Sequence, residues 1–452
     1  MKTAHSAQTS HKLRRWPSRW KPAVLATALL ACLAVPATGQ DLSPVERGIA
    51  ARVAEAEAEM IELLREVVDV NSGTMNSAGV REVGRIFAER LGRIGFETRW
   101  IDLPDSVDRA GHLLAVRPGE PGGARLLLIG HLDTVFEPGD PFQRFERQDT
   151  LAAGPGVVDM KGGDVVIVHA LEALHAEDAF AGATVTVALI GDEESAGLPL
   201  EASRGDLIAA GQAADAALGF EGGDPGRAVI ARRGSSGWSL RTTGRQGHSS
   251  GIFSESAGSG AVFEAARILH RFHEELRGPR YLTFNAGVVL GGTDVEYDAG
   301  ANQGTAFGKT NVIPRTVVVA GGLRFITHEQ LEDARAKMRE IVARSLPVTS
   351  AEIEFTDKYP AMPPTEGNRR LLEVLDGVSR ALGHGGVEPY DPGDRGAADV
   401  SFVAPYVAAI DGLGVYGSGS HTPGETVDLR SLVPATQRAA ILIHRLARER
   451  SR

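Results

Sequence analysis

The sequence predicts an α/β fold with a second, inserted α+β region. Three strand-length apolar runs, at 126–130, 184–190 and 214–220, are each followed within a few residues by acidic or imidazole side chains. Stretches with helical periodicity flank these runs, which is typical of strands that alternate with helices. Because parallel strands deliver side chains to one edge of a sheet, we expect the polar residues behind the three runs to share a site.

The first 40 residues have the composition of an export signal. They hold six basic residues, no acid, and an apolar run at 23–35 that is too short to span a membrane. We therefore expect 1–40 to be a signal peptide and the mature protein to be periplasmic or secreted. The pair Arg14-Arg15 leaves a twin-arginine signal as an alternative. The single cysteine, Cys32, weakly resembles a lipoprotein site, and we expect no membrane attachment unless Cys32 is lipidated.

The charge of the mature chain excludes some partners. Without the signal, 42 basic and 58 acidic residues remain, a net charge of −16. Such a surface disfavours nucleic acid and anionic lipid, and no basic run opposes this. The 412 residues that remain of 452 exceed what one apolar core organises, so two domains are expected.

The elements before the first site strand are packing elements. Apolar residues recur with helical spacing from Leu42 to Asp69, which predicts one helix, and from Val80 to Gly92, which predicts a second. Short strands are predicted at 99–102 and 112–117. They lead into the strand that ends at His131.

The run 126–130 is followed by His131 and Asp133. Side chains two apart on an extended chain point to the same side, so the Asp133 carboxylate can fix the tautomer of the His131 imidazole, as happens around metal-bound histidines. A strand that merely ends in polar residues is the alternative. Asp159 favours a site, because it lies in a glycine-rich turn that holds its carboxylate in a defined place. A helix is predicted directly after it, from Lys161 to His175.

The run 184–190 is followed by three consecutive acids, Asp192, Glu193 and Glu194. Acids directly behind a buried strand are unfavourable unless a cation or a bound proton compensates their charge. A solvated turn is the alternative interpretation.

Two further residues complete a candidate ligand set. Glu221 follows the run 214–220, and His421 lies on a glycine-rich loop near the C-terminus. Two histidines and three carboxylates suit two zinc ions, each with one histidine and one terminal carboxylate, while one carboxylate bridges them. The set is His131, His421, Asp159, Glu194 and Glu221, with Asp159 as the bridge.

These blocks together resemble the zinc-dependent exopeptidase and deacylase family that contains glutamate carboxypeptidase, succinyl-diaminopimelate desuccinylase, acetylornithine deacetylase, aminoacylases and dipeptidases. Their order matches over nearly the whole mature chain, and Gly154-Pro155-Gly156 is similar to the glutamate carboxypeptidase branch. The resemblance implies a catalytic domain with a mixed central sheet flanked by helices. It also implies two zinc ions, or cobalt or manganese in their place, on the five ligands named above.

The resemblance gives two further residues a catalytic role. Glu193 is implied to be the general base, and Asp133 the orienting partner of His131. The chemistry agrees, since an attacking water needs a nearby carboxylate that is not itself a ligand to accept its proton and pass it to the leaving amine.

The pattern changes after Glu221, and a β-α-β-β-α-β order follows. The predicted elements are a strand at 238–242, a helix at 257–276, strands at 281–290 and 316–325, a helix at 329–343 and a strand at 351–355. The resemblance implies that 232–357 is a ferredoxin-like lid or dimerisation domain, inserted into a catalytic domain made of 41–231 and 358–452.

Four residues are candidates for substrate binding. His248 matches the family histidine that reaches a partner subunit's site and polarises the scissile carbonyl, which implies a homodimer. Asn311 and Arg324 match groups that hold a substrate carboxylate, although Gly322 stands where the family usually has an acid. Arg395, on a glycine-rich loop, is a further candidate for a substrate anion. A loop histidine, a turn asparagine and surface arginines are the alternatives.

We therefore expect a secreted dizinc amide hydrolase that releases a C-terminal amino acid from a peptide or an N-acyl amino acid. An N-acyl amino acid deacylase and an aminopeptidase are alternatives on the same scaffold. A non-catalytic metal-binding protein is a third, but such a protein needs no free carboxylate like Glu193 beside its ligands.

Overall fold

A computed structural model describes residues 41–449 of the chain. The predicted signal peptide, with Cys32, lies outside this range. In the part that is described, no helix combines the length and the apolar composition needed to cross a membrane. The helices are α1 Pro44–Glu55, α2 Glu57–Val68, α3 Ser77–Arg93, α4 Lys161–Ala176, α5 Leu200–Ala213, α6 Gly260–Leu276, α7 His328–Val342, α8 Glu366–Ala381, α9 Val400–Val403 and α10 Leu432–Ala447.

A mixed six-stranded sheet forms the centre of the structure, in the order β1-β2-β6-β3-β7-β16. Its strands are β1 Glu97–Ile101, β2 His112–Arg117, β3 Arg125–His131, β6 Thr184–Ile190, β7 Ala216–Gly219 and β16 Ala409–Ile410. The last four run parallel to one another, while β2 pairs antiparallel with both β1 and β6. The predicted mixed sheet is therefore confirmed.

The central strand β3 is apolar along its length because helices cover both faces of the sheet. Leu126 and Leu128 belong to the core that also contains α4 and α10. Leu127 and Ile129 point the other way and belong to the core that contains α5 and α9. Alternate residues of one strand thus fill two cores, and the strand is held rigidly up to His131.

A second, antiparallel sheet has the order β10-β13-β9-β14 and its own apolar core. Its strands are β9 Gly234–Gly244, β10 Thr283–Gly292, β13 Thr316–Phe325 and β14 Thr349–Asp357. Helices α6 and α7 pack on this sheet through residues such as Phe272 and Met338. The element order follows the predicted β-α-β-β-α-β pattern, while the domain boundaries at 231/232 and 357/358 stay a prediction.

The remaining strands are short. They are β4 Glu146–Gln148, β5 Leu151–Ala153, β8 Arg227–Ala228, β11 Asp294–Asp298, β12 Gln303–Phe307, β15 Glu388–Pro389, β17 Gly417–Ser418 and β18 Thr426–Asp428. A small sheet with the order β17-β18-β5-β4 joins two distant parts of the chain. It sets the loop 154–159, which follows β5, beside the loop 419–425, which lies between β17 and β18.

Two details differ from the prediction. The single helix expected from Leu42 to Asp69 is two helices, α1 and α2, separated at Ala56. No glycine or proline marks this break, and the apolar periodicity continues through it. The sequence pattern therefore gives no sign of two helices. The hairpin β11/β12 was not predicted. In β11, the half-buried Val295 and Tyr297 alternate with exposed acids, as in a half-buried strand, but β12 is exposed throughout and has no such alternation.

Close packing at Gly163 places the start of α4 against the end of β7. A methyl group at Gly163 would lie 2.0 Å from the carbonyl oxygen of Phe220, the residue before Glu221. The helix that follows Asp159 can approach the strand that precedes Glu221 only because this residue has no side chain.

We expect Gly163→Ala to lower the free energy of unfolding by about 1–3 kcal/mol, since the backbone on both sides must move apart. Gly205→Ala, also in a helix, is the matched control, because a methyl group there meets nothing within 4 Å. Gly205→Ala should raise the free energy of unfolding by about 0.4–1 kcal/mol, because alanine lowers the conformational entropy of the unfolded chain. Urea unfolding of the two variants measures the difference, and equal effects would refute the close-packing argument.

Candidate metal centre

The ends of the parallel strands β3, β6 and β7 meet at one edge of the central sheet, and the predicted site residues follow them. His131 is the last residue of β3, and Glu221 comes two residues after β7. Glu193 and Glu194 lie in the turn after β6. The two loops joined by the small sheet add Asp159 and His421, so all five candidate ligands reach one place.

The five residues form two groups that share Asp159. In the first group, His131 Nε2 lies 3.2 Å from Asp159 Oδ1 and 3.7 Å from Glu221 Oε1. In the second, His421 Nε2 lies 3.1 Å from Asp159 Oδ2 and 3.0 Å from Glu194 Oε2. Each group therefore has one imidazole, one terminal carboxylate and one oxygen of the shared carboxylate.

Asp133 is wholly buried and ties two strand ends together. His131 Nδ1 lies 3.0 Å from the backbone oxygen of Asp133 and 3.4 Å from Asp133 Oδ1. The same carboxylate accepts hydrogen bonds from the backbone N–H groups of Glu193 (3.0 Å) and Glu194 (3.1 Å) and from the Thr74 hydroxyl (2.6 Å). Nε2 of His131 is thereby directed towards the two ligand groups.

Two other buried carboxylates hold the remaining ligand loops. Glu425 accepts hydrogen bonds from the backbone N–H groups of Gly156, Val158 and Asp159, at 3.2, 2.8 and 3.0 Å. Asp411 accepts one from the N–H group of Glu221, at 3.3 Å. Four of the five candidate ligands, all except His421, are thus held by an acid that is not itself a candidate ligand.

His421 adopts a left-handed backbone conformation, with φ of +64°. This region is uncommon for residues other than glycine, although histidine enters it more readily than most. A strained backbone of this kind persists only where surrounding contacts fix it, and it is frequent at functional sites.

Burial and the repulsion between neighbouring carboxylates raise the pKa values of several carboxyl groups in the site. Burial raises the pKa of Glu221 to about 8, and the charge of Asp159 adds to this. Burial also raises the pKa of Glu193 and of Glu194. Hydrogen bonds to Asp159 and Glu194 raise the pKa of His421 to about 11. A divalent cation would reverse these shifts, because it favours ionised carboxylates and neutral imidazoles.

The donor set fits zinc. Imidazole nitrogen and carboxylate oxygen are ligands that zinc accepts, and cobalt or manganese accept them too. Glu194 Oε1 is buried and has no hydrogen-bond partner within residues 41–449. A buried carboxylate oxygen without a partner is costly, and a cation in the second group would supply that partner.

A cavity of about 370 Å³ opens onto the ligand groups. Glu193 lines it without belonging to either group. Arg395 also lines it and donates a hydrogen bond to the carbonyl of Gly222 (3.0 Å). Arg232 is buried in its wall, with Nε bound to Asp411 at 2.6 Å and with Nη2 unpaired among the described residues.

The other three candidate substrate residues lie elsewhere. His248, Asn311 and Arg324 are exposed on the second sheet and its loops, and none of them lines the cavity within this single chain. His248 Nδ1 lies 2.8 Å from the Ser250 hydroxyl. Their proposed contacts with substrate stay predictions.

Sequence reasoning missed several residues of the site. These are Thr74, Arg204, Arg232 and Asp411, which hold other groups through long-range contacts. A local signal exists for two of them, since Arg232 directly follows the apolar run 228–231 and Asp411 the apolar run 407–410. Glu425 lies four residues after His421, but its contacts with the loop of Asp159 depend on the small sheet.

Comparison with known proteins decides the family. The model of peptidase family M20/M25/M40 matches residues 127–445, which is most of the chain. The chain belongs to this peptidase family. It is therefore a hydrolase that acts on amide bonds, and the alternative of a non-catalytic metal-binding protein is discarded.

Curated members of the M20/M25/M40 family match over most of their length. Carboxypeptidase G2 of Pseudomonas sp. (strain RS-16) is 26% identical over 432 residues, which cover 94% of this chain and 98% of that protein. Succinyl-diaminopimelate desuccinylase of Acidiphilium cryptum (strain JF-5) is 26% identical over 388 residues, which cover 83% and 95%. The predicted family resemblance is thus confirmed.

Solved structures share the fold. Aminopeptidase PepT of Bacillus cereus has a TM-score of 0.68 at 19% identity, covering 86% of this chain and 99% of that one. A dinuclear metal-binding peptidase of family M20 from Bacillus subtilis has a TM-score of 0.60 at 15% identity, covering 86% and 98%. At these identities the likeness concerns the fold alone.

We predict that zinc binding at pH 7 releases at least two protons. Glu221, with a pKa of about 8, and His421, with a pKa of about 11, are protonated at pH 7 without metal and must lose their protons to become ligands. Calorimetric titration in buffers of different ionisation enthalpy measures the number released. Glu221→Gln should release fewer protons, and a binding enthalpy that is independent of the buffer would contradict the prediction.

Proposed function

We propose that this hydrolase is a dizinc carboxypeptidase that releases a C-terminal amino acid, such as glutamate, from a peptide or an N-acyl amino acid. The observation that carries the proposal is the geometry of two ligand groups joined at Asp159, with the free carboxylate of Glu193 in the same cavity. The ligands are then His131 and Glu221 for one ion, His421 and Glu194 for the other, and Asp159 for both.

The side chains of the cavity divide the work of amide hydrolysis. Bound zinc would supply a Lewis acid for the scissile carbonyl and for the attacking water. Glu193 accepts the proton of that water and delivers it to the leaving amine nitrogen, because its carboxylate lines the cavity without belonging to either ligand group. Asp133 holds the imidazole of His131 in one orientation throughout.

Two arginines favour a substrate with a free carboxylate. Among residues 41–449, the Arg395 guanidinium has only a backbone carbonyl as its hydrogen-bond partner, and Arg232 keeps Nη2 unpaired in the cavity wall. A guanidinium group matches the two oxygens of a carboxylate, whereas it repels a protonated amine. This arrangement favours a carboxypeptidase over an aminopeptidase.

An N-acyl amino acid deacylase is the second candidate. The desuccinylase relative, as similar in identity as the carboxypeptidase, favours it. Such an enzyme would use the same ligands and the same base, so substrate preference alone separates the two candidates.

The proposal includes the quaternary structure and the location of the enzyme. An exposed His248 on the second sheet is suited to reach the cavity of a second copy, where it would polarise the scissile carbonyl, while Asn311 and Arg324 would hold the substrate carboxylate. We therefore propose a homodimer. We also propose that it is exported, on the basis of the composition of residues 1–40.

Replacement of the base gives the direct test. Glu193→Gln should lower kcat by about 10²–10⁴-fold, because the amide cannot accept the proton, while two metal equivalents remain bound. Activity assays measure kcat, and elemental analysis measures the metal that remains bound. Glu201→Gln, on the exposed start of α5, should leave both unchanged. Full activity of Glu193→Gln would remove the proposed base.

Blocked dipeptides test the substrate class. A carboxypeptidase should hydrolyse an N-blocked dipeptide and reject a C-amidated one, and the reverse result would indicate an aminopeptidase. Arg395→Gln should raise KM for the free-acid substrate about tenfold or more, since it removes a charge-assisted contact. A parallel Arg324→Gln assay shows which arginine binds the carboxylate, and an unchanged KM in both variants would contradict these assignments.

A further inference from the structure

The peptide group between Glu193 and Glu194 is held at both of its polar atoms. Its N–H group, on Glu194, donates to Asp133 Oδ2 at 3.1 Å. Its carbonyl oxygen, on Glu193, accepts a hydrogen bond of 2.6 Å from the Tyr359 hydroxyl. Because a carbonyl oxygen only accepts, the phenol is the donor. Rotation of this peptide would change the direction of the side chains on both sides of it.

Tyr359 lies where the chain returns from the second sheet. It comes two residues after β14, and its backbone oxygen accepts a hydrogen bond from the N–H group of Ser235 (2.8 Å), near the start of β9. Nearby, Arg232 and Met362 exchange backbone hydrogen bonds of 2.9 and 3.0 Å. The two segments that connect the sheets are thus paired, and Tyr359 extends from this pair to the turn that carries Glu193.

The rest of the turn is anchored from the central-sheet side. Arg204, wholly buried, donates to the backbone oxygen of Asp192 (3.1 Å) and binds the side chains of Asp192 (2.5 Å) and Asp399 (2.7 Å). Within residues 41–449, the Tyr359 hydroxyl provides the one hydrogen bond between the connecting segments and the backbone of 192–194.

Packing fixes the ring of Tyr359 independently of its hydroxyl. The ring lies 5.1 Å from that of Phe402, at an interplanar angle of 57°. The Phe402 ring is itself covered by the guanidinium of Arg204, which lies 5.4 Å from the ring centroid. Removal of the hydroxyl alone would therefore leave the ring in place and free the carbonyl of Glu193, with the loss of one further contact, that of the hydroxyl with Arg204.

From this geometry we propose that Tyr359 is a positioning residue for the general base, and that through it the connection to the second sheet sets the direction of the Glu193 carboxylate. This inference rests on the proposed role of Glu193. A small misplacement of a proton-transfer group lowers the rate of the chemical step without weakening substrate binding. The effect should therefore be confined to kcat.

Tyr359→Phe in the full-length enzyme is the test. We expect kcat to fall roughly ten- to hundredfold, while KM changes less than twofold and the metal content stays the same. Tyr297→Phe is the matched control, since in the described part of the chain its hydroxyl donates one hydrogen bond, to Asn302 Oδ1 (3.3 Å), at the hairpin β11/β12. This control should retain the parent kcat.

A double variant separates positioning from a general structural effect. In the Glu193→Gln background, where no base remains to be positioned, Tyr359→Phe should change the residual kcat less than twofold. A further fall of the same size as in the parent enzyme would overturn the proposal. So would an unchanged kcat in the single variant, a change limited to KM, or loss of metal.

The outcomes also distinguish this inference from the proposed function. Activity of Glu193→Gln at the parent rate would refute the base, and the inference with it. An inactive Glu193→Gln together with a fully active Tyr359→Phe would refute only the role of Tyr359.

Discussion

Crowding of ionisable groups around Asp159 is the constraint on which the rest of the structure depends. Several carboxylates and two imidazoles lie within ligand distance of one another in a largely buried cavity. Like charges cannot be held together in such a place without a compensating cation or bound protons. The fold therefore has to fix each group firmly, and buried acids that are not ligands, Asp133, Asp411 and Glu425, do this by accepting backbone hydrogen bonds from the ligand loops.

Each level of the architecture contributes one part of this arrangement. The parallel strands bring three ligand-bearing segments to one edge, because strands covered by helices on both faces are rigid to their last residue. The small sheet adds the loops of Asp159 and His421, which are far apart in the chain. The paired connections to the second sheet then reach the turn of Glu193 through Tyr359. The candidate ligands, Glu193 and the second sheet are thus connected through few contacts.

Much of the fold could be predicted where local patterns are strong. The strands 184–190 and 316–325 were predicted with the observed bounds, since an apolar run between turn residues specifies a buried strand. The break at Ala56 could not be predicted, because no glycine or proline marks it. The hairpin β11/β12 was missed because β12 lacks the apolar alternation that β11 has. The chain also brings the candidate ligands together as the motifs indicated, whereas His248, Asn311 and Arg324 lie outside the cavity of one chain.

The sequence by itself determined which chemical groups are available and where strands end, because hydrophobic periodicity and turn composition act over a few neighbouring residues. It thereby indicated the family and the candidate ligand set. Only the tertiary structure decided which histidine shares a group with which carboxylate, that Glu425 holds the loop of Asp159, and that Tyr359 bonds to Glu193. These are contacts between residues up to 266 positions apart, and the positions of both partners depend on the packing of the whole chain.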